Sequence, residues 1–255
     1  MARRILVIGH TGLIGRDLFS EKTDLTLIPA KMRFDLENTT QQSALIHEAK
    51  NHGCDAILSL AWQANNLADY HDLDINFSWS EATSSLAKLS VQQDLRLFLR
   101  GTCLDSGLTY QNKYVQSKIL LKNKLKNEIG SGYITWIRPF YIVNIESRRP
   151  RVISSIFLGD EILSPKSAND YIVSKDVSAG IQTILGKNLQ GEIDIGAGFR
   201  TTNEELARAI SSKFTIPPLK FGNSPEAVGS VADSIVLRSQ GWSPNHTLAL
   251  FGRRK

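Results

Sequence analysis

A tyrosine and a lysine four residues apart are the first candidates for catalysis. The stretch reads Tyr114-Val115-Gln116-Ser117-Lys118, and positions i and i+4 lie on one face of a helix. A nearby ammonium favours the phenolate, lowers the pKa of the tyrosine and makes the phenol usable as an acid or a base near neutral pH. An exposed tyrosine on a charged helix is the alternative, since this spacing is common by chance. The position of Thr102 favours the catalytic interpretation of Tyr114. Thr102 follows a predicted strand, and its hydroxyl can hydrogen-bond the substrate oxygen that Tyr114 protonates.

A glycine-rich turn near the start of the chain predicts phosphate binding. A short apolar run, Ile5-Leu6-Val7-Ile8, is followed by Gly9-His10-Thr11-Gly12-Leu13-Ile14-Gly15 and then by a predicted helix. Glycines let the backbone turn tightly and approach a pyrophosphate, whose charge then lies at the helix N-terminus. We therefore expect dinucleotide contacts from the turn, specifically from Gly9, Thr11, Gly12, Leu13, Ile14 and Gly15. The alternative is an ordinary strand-to-helix turn.

The residues after the second predicted strand bear on the choice of cofactor. The sequence there is Ile28-Pro29-Ala30-Lys31-Met32-Arg33-Phe34-Asp35-Leu36. A carboxylate at the strand end binds the adenosine ribose of NAD, whereas a basic residue accommodates the 2′-phosphate of NADP. No acid lies at this strand end, and Lys31 and Arg33 follow it. The segment therefore favours NADP over NAD, with a solvated loop as the alternative.

The first half of the chain alternates apolar runs with amphipathic segments. We predict strands at 5–8, 25–28, 56–60, 95–99 and 133–137, and helices at 13–19, 39–51, 74–91 and 113–126. This alternation is typical of an α/β, doubly wound fold with a parallel sheet, which binds ligands at the carboxyl ends of its strands.

The pattern changes after Pro139. Residues 140–170 are rich in Arg, Ser and Pro, with a short helix predicted around 152–158. A further strand is predicted at 192–196, and a capped helix begins at Thr201 or Thr202. We predict a dinucleotide-binding domain over 1–140 with a return segment at about 170–197. Residues 141–169 and 198–255 form a small substrate-binding domain.

Composition excludes few classes of protein but favours a cytoplasmic one. The 255 residues carry a formal net charge of +5 and include two cysteines. No apolar run is long enough to cross a bilayer, and Cys54 and Cys103 suit neither a disulfide framework nor a metal site. Basic residues concentrate only at Arg148-Arg149-Arg151 and at the tail Arg253-Arg254-Lys255. No aromatic interleaving or helix-turn-helix pattern favours nucleic acid as a partner.

Taken in order, these motifs resemble the extended short-chain dehydrogenase/reductases, specifically the NAD-dependent epimerase/dehydratase family of nucleotide-sugar enzymes. The resemblance spans nearly the whole chain and rests on Gly9-x-x-Gly12-x-x-Gly15, Leu60-Ala61, Asn76, Gly101-Thr102, Tyr114-x-x-x-Lys118, Arg138-Pro139-Phe140, and the segments 170–177, 191–198 and 237–244.

The resemblance implies a Rossmann-like fold and a role for each matching position. Thr102, Tyr114 and Lys118 would be the catalytic residues, and Lys118 would also hold the nicotinamide ribose. Further cofactor contacts would come from Arg33, Asp35, Leu36, Leu60, Ala61, Trp62, Pro139 and Phe140. Asn76 would either support the cofactor or act as an ordinary helix residue. Relatives imply a homodimer formed through the helix near 80–87 and the helix that carries Tyr114.

Departures from the family pattern narrow the reaction. Sugar dehydratases of the family carry an Asp-Glu pair after the catalytic hydroxyl residue, where this chain has Cys103-Leu104. Epimerases that act beside a ketone use a Cys and a His, and no His occurs between His71 and His246. The chain most resembles nucleotide-sugar 4-ketoreductases that use NADPH. A C4 epimerase with tightly bound NAD, or a catalytically silent dinucleotide-binding protein, remains an alternative.

Contacts with the nucleotide-linked sugar are predicted from both parts of the chain. The candidates are Thr102, Cys103, Tyr141, Asn144, Arg148 and Arg151. Guanidinium groups suit phosphate oxygens, so the arginines at 148, 149 and 151 could bind a substrate diphosphate. A solvated basic loop is the alternative for this segment.

Overall fold

The computed structural model describes residues 3–31, 39–63, 67–106 and 112–253. The chain forms two compact units, Met1–Arg138 with Ile181–Ile193, and Pro139–Gly180 with Asp194–Lys255. No helix in the described ranges is long and apolar enough to span a membrane.

The elements of the first half alternate between strand and helix. In chain order they are β1 Arg4–Ile8, α1 Leu13–Ser20, β2 Thr26–Pro29, α2 Thr39–Asn51, β3 Ala56–Ser59, α3 Leu67–His71, α4 Leu73–Gln92, β4 Arg96–Arg100, a 3-10 turn Cys103–Ser106, α5 Lys113–Lys124, α6 Lys126–Gly130 and β5 Ile134–Pro139.

The second half has shorter strands. They and the helices between them are β6 Tyr141–Val143, α7 Arg151–Leu158, β7 Glu161–Ile162, β8 Ala168–Asn169, β9 Tyr171–Val173, α8 Ser174–Lys187, β10 Gly191–Ile195, β11 Thr201–Thr202, α9 Asn203–Ser211, β12 Lys220–Phe221, α10 Ile235–Ser239 and α11 Asn245–Leu250.

A six-stranded sheet organises the first unit, with strand order β10-β5-β4-β3-β1-β2. The pairs from β2 through β5 are parallel. Ile8 pairs with Ser59, and Ser59 pairs with Leu99, so these three strands end at the same edge. That edge is where Gly9, Leu60 and Gly101 leave the sheet, and it is where a doubly wound fold places its ligands.

Burial explains why these strands could be read from the sequence. Every residue of β3 is buried, as are four of the five residues of β1. Parallel strands covered on both faces are continuous apolar runs. On one face, α2, α4 and α5 cover the sheet with a core that includes Leu45, Leu86 and Val115.

The second unit is held by small two-stranded sheets and by buried polar residues. The pairs are β6 with β9, β7 with β12, and β8 with β11. The buried Asp170 carboxylate accepts hydrogen bonds from the backbone N–H groups of Ala197, Gly198 and Ala232. Asp176 accepts from the N–H groups of His246 and Thr247 at the start of α11. The second unit also has a small apolar core that includes Val143, Ile153, Leu206 and Ile210.

The structure confirms most of the predicted elements and adds others. The capped helix begins after Thr202, whose side chain accepts from the N–H of Glu205 in a capping box. The predicted helix at 113–126 is interrupted at Leu125, which separates α5 from α6. Helix α8 was not predicted, although Val177, Ile181 and Leu185 have helical spacing and are buried.

Candidate active site

The turn between β1 and α1 needs glycine for its own geometry at two positions. Gly9 has φ = +83°, and a Cβ there would lie 2.8 Å from the backbone nitrogen of Ala61. A Cβ on Gly15 would come within 2.5 Å of the carbonyl oxygens of Gly9 and His10. A side chain at either position would force backbone segments apart. These two glycines therefore have a structural explanation that needs no ligand.

Gly12 is different, because a Cβ there would make a milder contact than at Gly9 or Gly15. It is the N-cap of α1 with φ = −71°, and its N–H donates to the Gly9 carbonyl at 3.1 Å. Among the described residues, the nearest atom that a Cβ would meet is that same oxygen, at 3.3 Å. The helix N-terminus carries no side-chain cap within the described ranges. A pyrophosphate fits such a site, since it needs close backbone approach and N–H donors at a helix start.

The other predicted residues of the turn lie around Gly12. Thr11 is exposed at its tip, Leu13 is the half-buried first residue of α1, and Ile14 is buried. At the end of β2, Lys31 is exposed and its backbone N–H donates to Glu48 Oε1 at 2.9 Å.

Part of the predicted adenosine site cannot be placed. Arg33, Asp35 and Leu36 lie outside the described residues, as do Arg254 and Lys255 of the basic tail.

The segment after β3 links the glycine turn to Tyr114. The Leu60 N–H donates to the Ile8 carbonyl at 2.9 Å, and the Ala61 backbone lies against Gly9. Trp62 is buried, and its ring lies edge-on to the ring of Tyr114 with a centroid distance of 6.0 Å. Leu60, Ala61 and Trp62 thus lie between the two halves of the candidate site.

Thr102 and Tyr114 lie together, as the sequence predicts. Tyr114 is in the first turn of α5, whose N-cap Asn112 accepts a hydrogen bond from the Val115 N–H. Thr102 is two residues beyond β4, and its side chain is hydrogen-bonded to that of Tyr114. Both residues are buried. Two hydroxyl groups in contact at the carboxyl edge of the sheet form a pair that can hold a carbonyl or alcohol oxygen.

Lys118 lies one helical turn after Tyr114 and is only 2 % exposed. Its Nζ donates to the backbone carbonyl of Arg100 at 2.7 Å. The same Nζ lies 3.5 Å from the centroid of the Trp62 ring and 5.9 Å from that of Tyr114. The ammonium is therefore held by a strand end and an aromatic face, next to the phenol.

The electrostatics of Tyr114 differ from the sequence-based expectation. Burial raises the pKa of Tyr114, and this effect outweighs the charge of Arg100, which acts to lower it. The expectation of a lowered pKa for Tyr114 is wrong, because burial of the phenol dominates. The phenol consequently keeps its proton at neutral pH, which is the state of a proton donor.

Burial also governs Lys118. It lowers the pKa of Lys118 well below the ordinary value, and the charge of Arg100 acts in the same direction. The carboxylate of Asp105 acts to raise the pKa. Burial, one cation and one carboxylate thus set the pKa of Lys118.

Asn76 has a structural role in this arrangement. It is fully buried in α4, and its amide donates to the carbonyls of Asp69 and Asp72 at 2.6 and 2.7 Å. Its Oδ1 accepts a hydrogen bond from Trp62 Nε1 at 3.0 Å. Asn76 therefore fixes the indole that lies over Lys118, which favours the structural interpretation.

The remaining predicted residues belong to the second unit or border it. Pro139 ends β5, and the N–H of Phe140 donates to the Ile195 carbonyl at 3.0 Å. Tyr141 packs edge-on against Tyr171. The amide of Asn144 donates to Ser174 Oγ at 2.8 Å.

The predicted diphosphate-binding arginines are exposed. The guanidinium of Arg148 lies 5.1 Å from the centroid of the Phe157 ring, and Arg151 is the first residue of α7. Their contact with substrate stays a prediction. Cys103, another predicted substrate contact, is buried in the 3-10 turn of the first unit.

Four residues near Tyr114 and Lys118 were not predicted from the sequence. They are Tyr70, Arg100, Asp105 and Trp136. The ring of Tyr70 lies 5.0 Å from that of Tyr114, and Trp136 Nε1 donates to Asp105 Oδ2 at 2.7 Å. The available signal for Arg100 was a charge at the end of an apolar strand. The signal for Asp105 was an acid three residues after Thr102.

No protein-family model matches the sequence, and a search of the curated proteins found no match. Solved structures do match along nearly the whole chain. RMD of Pseudomonas aeruginosa, complexed with NADPH, has a TM-score of 0.75 and 17% identity over 99% of this chain and 97% of that chain. A dTDP-4-dehydrorhamnose reductase of Clostridium acetobutylicum has a TM-score of 0.76 and 12% identity over 97% and 98%.

An epimerase is equally similar. UDP-glucose 4-epimerase of Stenotrophomonas maltophila, with bound NAD and formylated UDP-arabinopyranose, has a TM-score of 0.74 and 15% identity over 95% and 93%. The chain therefore shares the α/β, Rossmann-like fold of these structures, which confirms the fold predicted from the sequence. At these identities the likeness concerns the fold.

Proposed function

We propose that the protein is an NADPH-dependent oxidoreductase that reduces the 4-keto group of a nucleotide-activated deoxysugar. One observation carries the proposal. A phenol that burial keeps protonated is hydrogen-bonded to Thr102 and lies beside Lys118, at the edge of the sheet where the glycine turn follows β1. Reduction of a ketone requires a proton donor of this kind.

The side chains perform the proton chemistry. A bound dinucleotide supplies the hydride that reaches the carbonyl carbon. Tyr114 Oη gives its proton to the carbonyl oxygen, and the Thr102 hydroxyl stabilises the negative charge that develops there. The cationic groups of Arg100 and Lys118 then stabilise the phenolate that remains on Tyr114.

The backbone and Lys118 hold the cofactor in this proposal. The turn at Gly12 takes the pyrophosphate, and Lys118 takes the nicotinamide ribose. Lys31 and Arg33 take the 2′-phosphate of NADPH. The support for NADPH over NADH is the exposed Lys31 at the end of β2, where residues 28–31 include no acidic residue.

Contacts with the substrate are proposed for the six residues that the sequence predicts, which are Thr102, Cys103, Tyr141, Asn144, Arg148 and Arg151. Support for the arginines is their exposure, which leaves guanidinium groups available to phosphate oxygens.

A homodimer formed through α4 and α5 completes the proposal. Leu73, Phe77 and Leu120 on these helices are 53%, 47% and 39% exposed. Burying large apolar side chains favours association. Neither Cys54 nor Cys103 forms a disulfide, which is compatible with the reducing cytoplasm.

The proposal is tested by cofactor titration followed by a substrate panel. NADPH and NADH fluorescence would measure binding, and NADPH consumption would be followed with a set of nucleotide-linked 4-keto sugars. We expect tighter binding of NADPH and one alcohol formed per NADPH oxidised, identified by NMR.

Two outcomes would contradict reductase activity. Purified protein with stoichiometric NAD and no net NADPH consumption would indicate the C4 epimerase. Dinucleotide binding that changes the affinity for a partner, without turnover of any keto sugar, would indicate a catalytically silent protein.

A further inference from the structure

Asp105 is a buried carboxylate that the proton chemistry above does not use. It lies in the 3-10 turn that follows Thr102, and its side chain is fully shielded from solvent. Its Oδ2 accepts a hydrogen bond from Trp136 Nε1 at 2.7 Å. Its Oδ1 is buried and has no hydrogen bond from the described residues. A buried charge in this state needs an explanation, because desolvation of a carboxylate is costly.

Trp136 and Asp105 contact the backbone on both sides of Thr102 in the sequence. The residue before Thr102 is Gly101, where a Cβ would lie 2.3 Å from Trp136 Nε1. After Thr102, the N–H of Asp105 donates to the Thr102 carbonyl at 3.3 Å, and the Leu104 N–H approaches Thr102 Oγ1 at 3.4 Å. The indole thus packs against the backbone before Thr102 and binds the carboxylate after it. This pair fixes the direction in which the Thr102 hydroxyl leaves the strand.

The two cations nearest to Asp105 lie closer to a second carboxylate, that of Glu192. Lys122 Nζ and Arg138 Nη1 lie 3.6 and 3.7 Å from Oδ1, beyond hydrogen-bond distance. Both cations make shorter contacts with Glu192, at 2.7 and 3.2 Å, where the side chain is partly exposed. Lys122 and Arg138 therefore contact both carboxylates, and their contacts with Glu192 are the shorter ones.

Lys118 lies near the same indole. Its Nζ lies 6.0 Å from the centroid of the Trp136 ring. The charged and titratable groups of the described residues that face it are Arg100 on β4, Asp105 on the 3-10 turn and Tyr114 on its own helix. Asp105 is the carboxylate of this set.

We propose that Asp105 is a positioning residue that, together with Trp136, holds Thr102 against Tyr114 and offsets the charge of Arg100 beside the Lys118 ammonium. The inference rests on the proposed function, since it assigns Asp105 to that same site. An amide at this position would keep the shape and an acceptor for Trp136 but lose the charge. The two effects of the carboxylate are therefore separable by mutation.

The test compares Asp105→Asn, Asp105→Ala and Glu192→Gln with the wild type, using the full chain, NADPH and the keto sugar that the wild type reduces. Each variant is assayed for kcat from pH 6 to 10, for NADPH binding by fluorescence and for thermal unfolding. Glu192→Gln is the matched control, because it alters the same cations without touching the Thr102 turn. Asp105→Glu, which keeps the charge but displaces it, replaces Asp105→Asn if the latter does not fold.

Each change has a distinct expected result. Since Asp105 raises the pKa of Lys118, its loss lowers that pKa further, and the basic limb of the kcat profile moves to lower pH in Asp105→Asn. Asp105→Ala also loses the Trp136 contact, so its kcat falls by about 10- to 100-fold because Thr102 is misplaced. Asp105→Glu keeps the pH profile and loses kcat. NADPH binding stays close to wild type in all variants, and Glu192→Gln keeps kcat and its pH profile.

Two results would overturn the inference. One is an unchanged kcat and pH profile in the Asp105 variants. The other is a loss of kcat that only follows the loss of folded, NADPH-binding protein. A wild type that reduces no keto sugar would instead contradict the proposed function, so the two failures are distinguishable.

Discussion

The two halves of the candidate site use different chemical groups. The glycine turn is backbone, with Gly12 and Thr11 exposed and conformational constraints that come from neighbouring carbonyls. The Tyr114 half is made of ionisable side chains, with Tyr114 and Lys118 only 4 % and 2 % exposed. Backbone N–H groups bind phosphate without change of protonation, whereas a proton donor needs a shifted pKa that only burial and neighbouring charges provide. Binding and chemistry should therefore be separable by mutation.

Lys118→Met should have the largest effect and should act in opposite directions on activity and stability. Loss of the cation beside Tyr114 should lower kcat by about 10²- to 10³-fold. The same change removes a buried ammonium whose pKa is held well below its ordinary 10.5 by burial, so thermal stability should rise. Each 1 kcal/mol gained would raise Tm by roughly 2–4 °C in a chain of this size.

The stability difference should also depend on pH. Because the folded state binds the Lys118 proton more weakly than the unfolded state does, wild-type stability should rise with pH between the lowered folded pKa and about 10.5. The Tm advantage of Lys118→Met should therefore shrink as the pH is raised through this window. Lys126→Met, at an exposed lysine on α6, is the control and should show neither effect. A destabilised Lys118→Met variant would contradict this account.

Gly12→Val should affect binding but not folding. Its Cβ would lie 3.3 Å from the Gly9 carbonyl oxygen at an ordinary backbone φ, so the turn should form with a small local shift while the added methyl groups obstruct the pyrophosphate. Overpacking typically costs about 1–3 kcal/mol, which corresponds to about 5- to 150-fold in Kd.

NADPH fluorescence titration would measure the effect of Gly12→Val, with thermal unfolding to confirm that the variant is folded. Gly186→Val provides the comparison at a helical position far from the turn in the sequence, where a Cβ meets no atom within 4 Å among the described residues. Equal Kd values for the two variants would show that the turn does not bind the dinucleotide.

Lys31→Ala should have the smallest effect, confined to cofactor preference. Removal of one exposed cation from the 2′-phosphate site should weaken NADPH binding by about tenfold, or about 1.4 kcal/mol, and leave NADH binding unchanged. Parallel titrations with the two cofactors would measure the ratio, with Lys22→Ala as a control at another exposed lysine. A similar loss for both cofactors would remove the support for NADPH.

The sequence predicted the sheet and the order of the site residues because both depend on local patterns. Buried parallel strands such as β1 and β3 are apolar runs, and Thr102 follows its strand in any structure with this topology. The two-residue strands of the second unit, such as β8 and β11, have no period to detect. They depend on long-range contacts, such as those of the Asp170 carboxylate.

Features of the site that depend on three-dimensional packing were missed for the same reason. The pKa of Tyr114 is set by burial and by Arg100, which is 14 positions away in the sequence. The bond between Asp105 and Trp136 joins residues 31 positions apart. Neither is visible in a motif, since a motif records residue types and spacing but not how deeply a side chain is buried.

The central claim is that Tyr114 provides the proton while the backbone turn binds the cofactor, and Tyr114→Phe tests it most directly. Kd for NADPH and kcat for a nucleotide-linked 4-keto sugar would be measured on the same preparation. We predict a fall in kcat of about 10²- to 10⁴-fold with Kd nearly unchanged. Turnover close to that of the wild type in Tyr114→Phe would contradict the account.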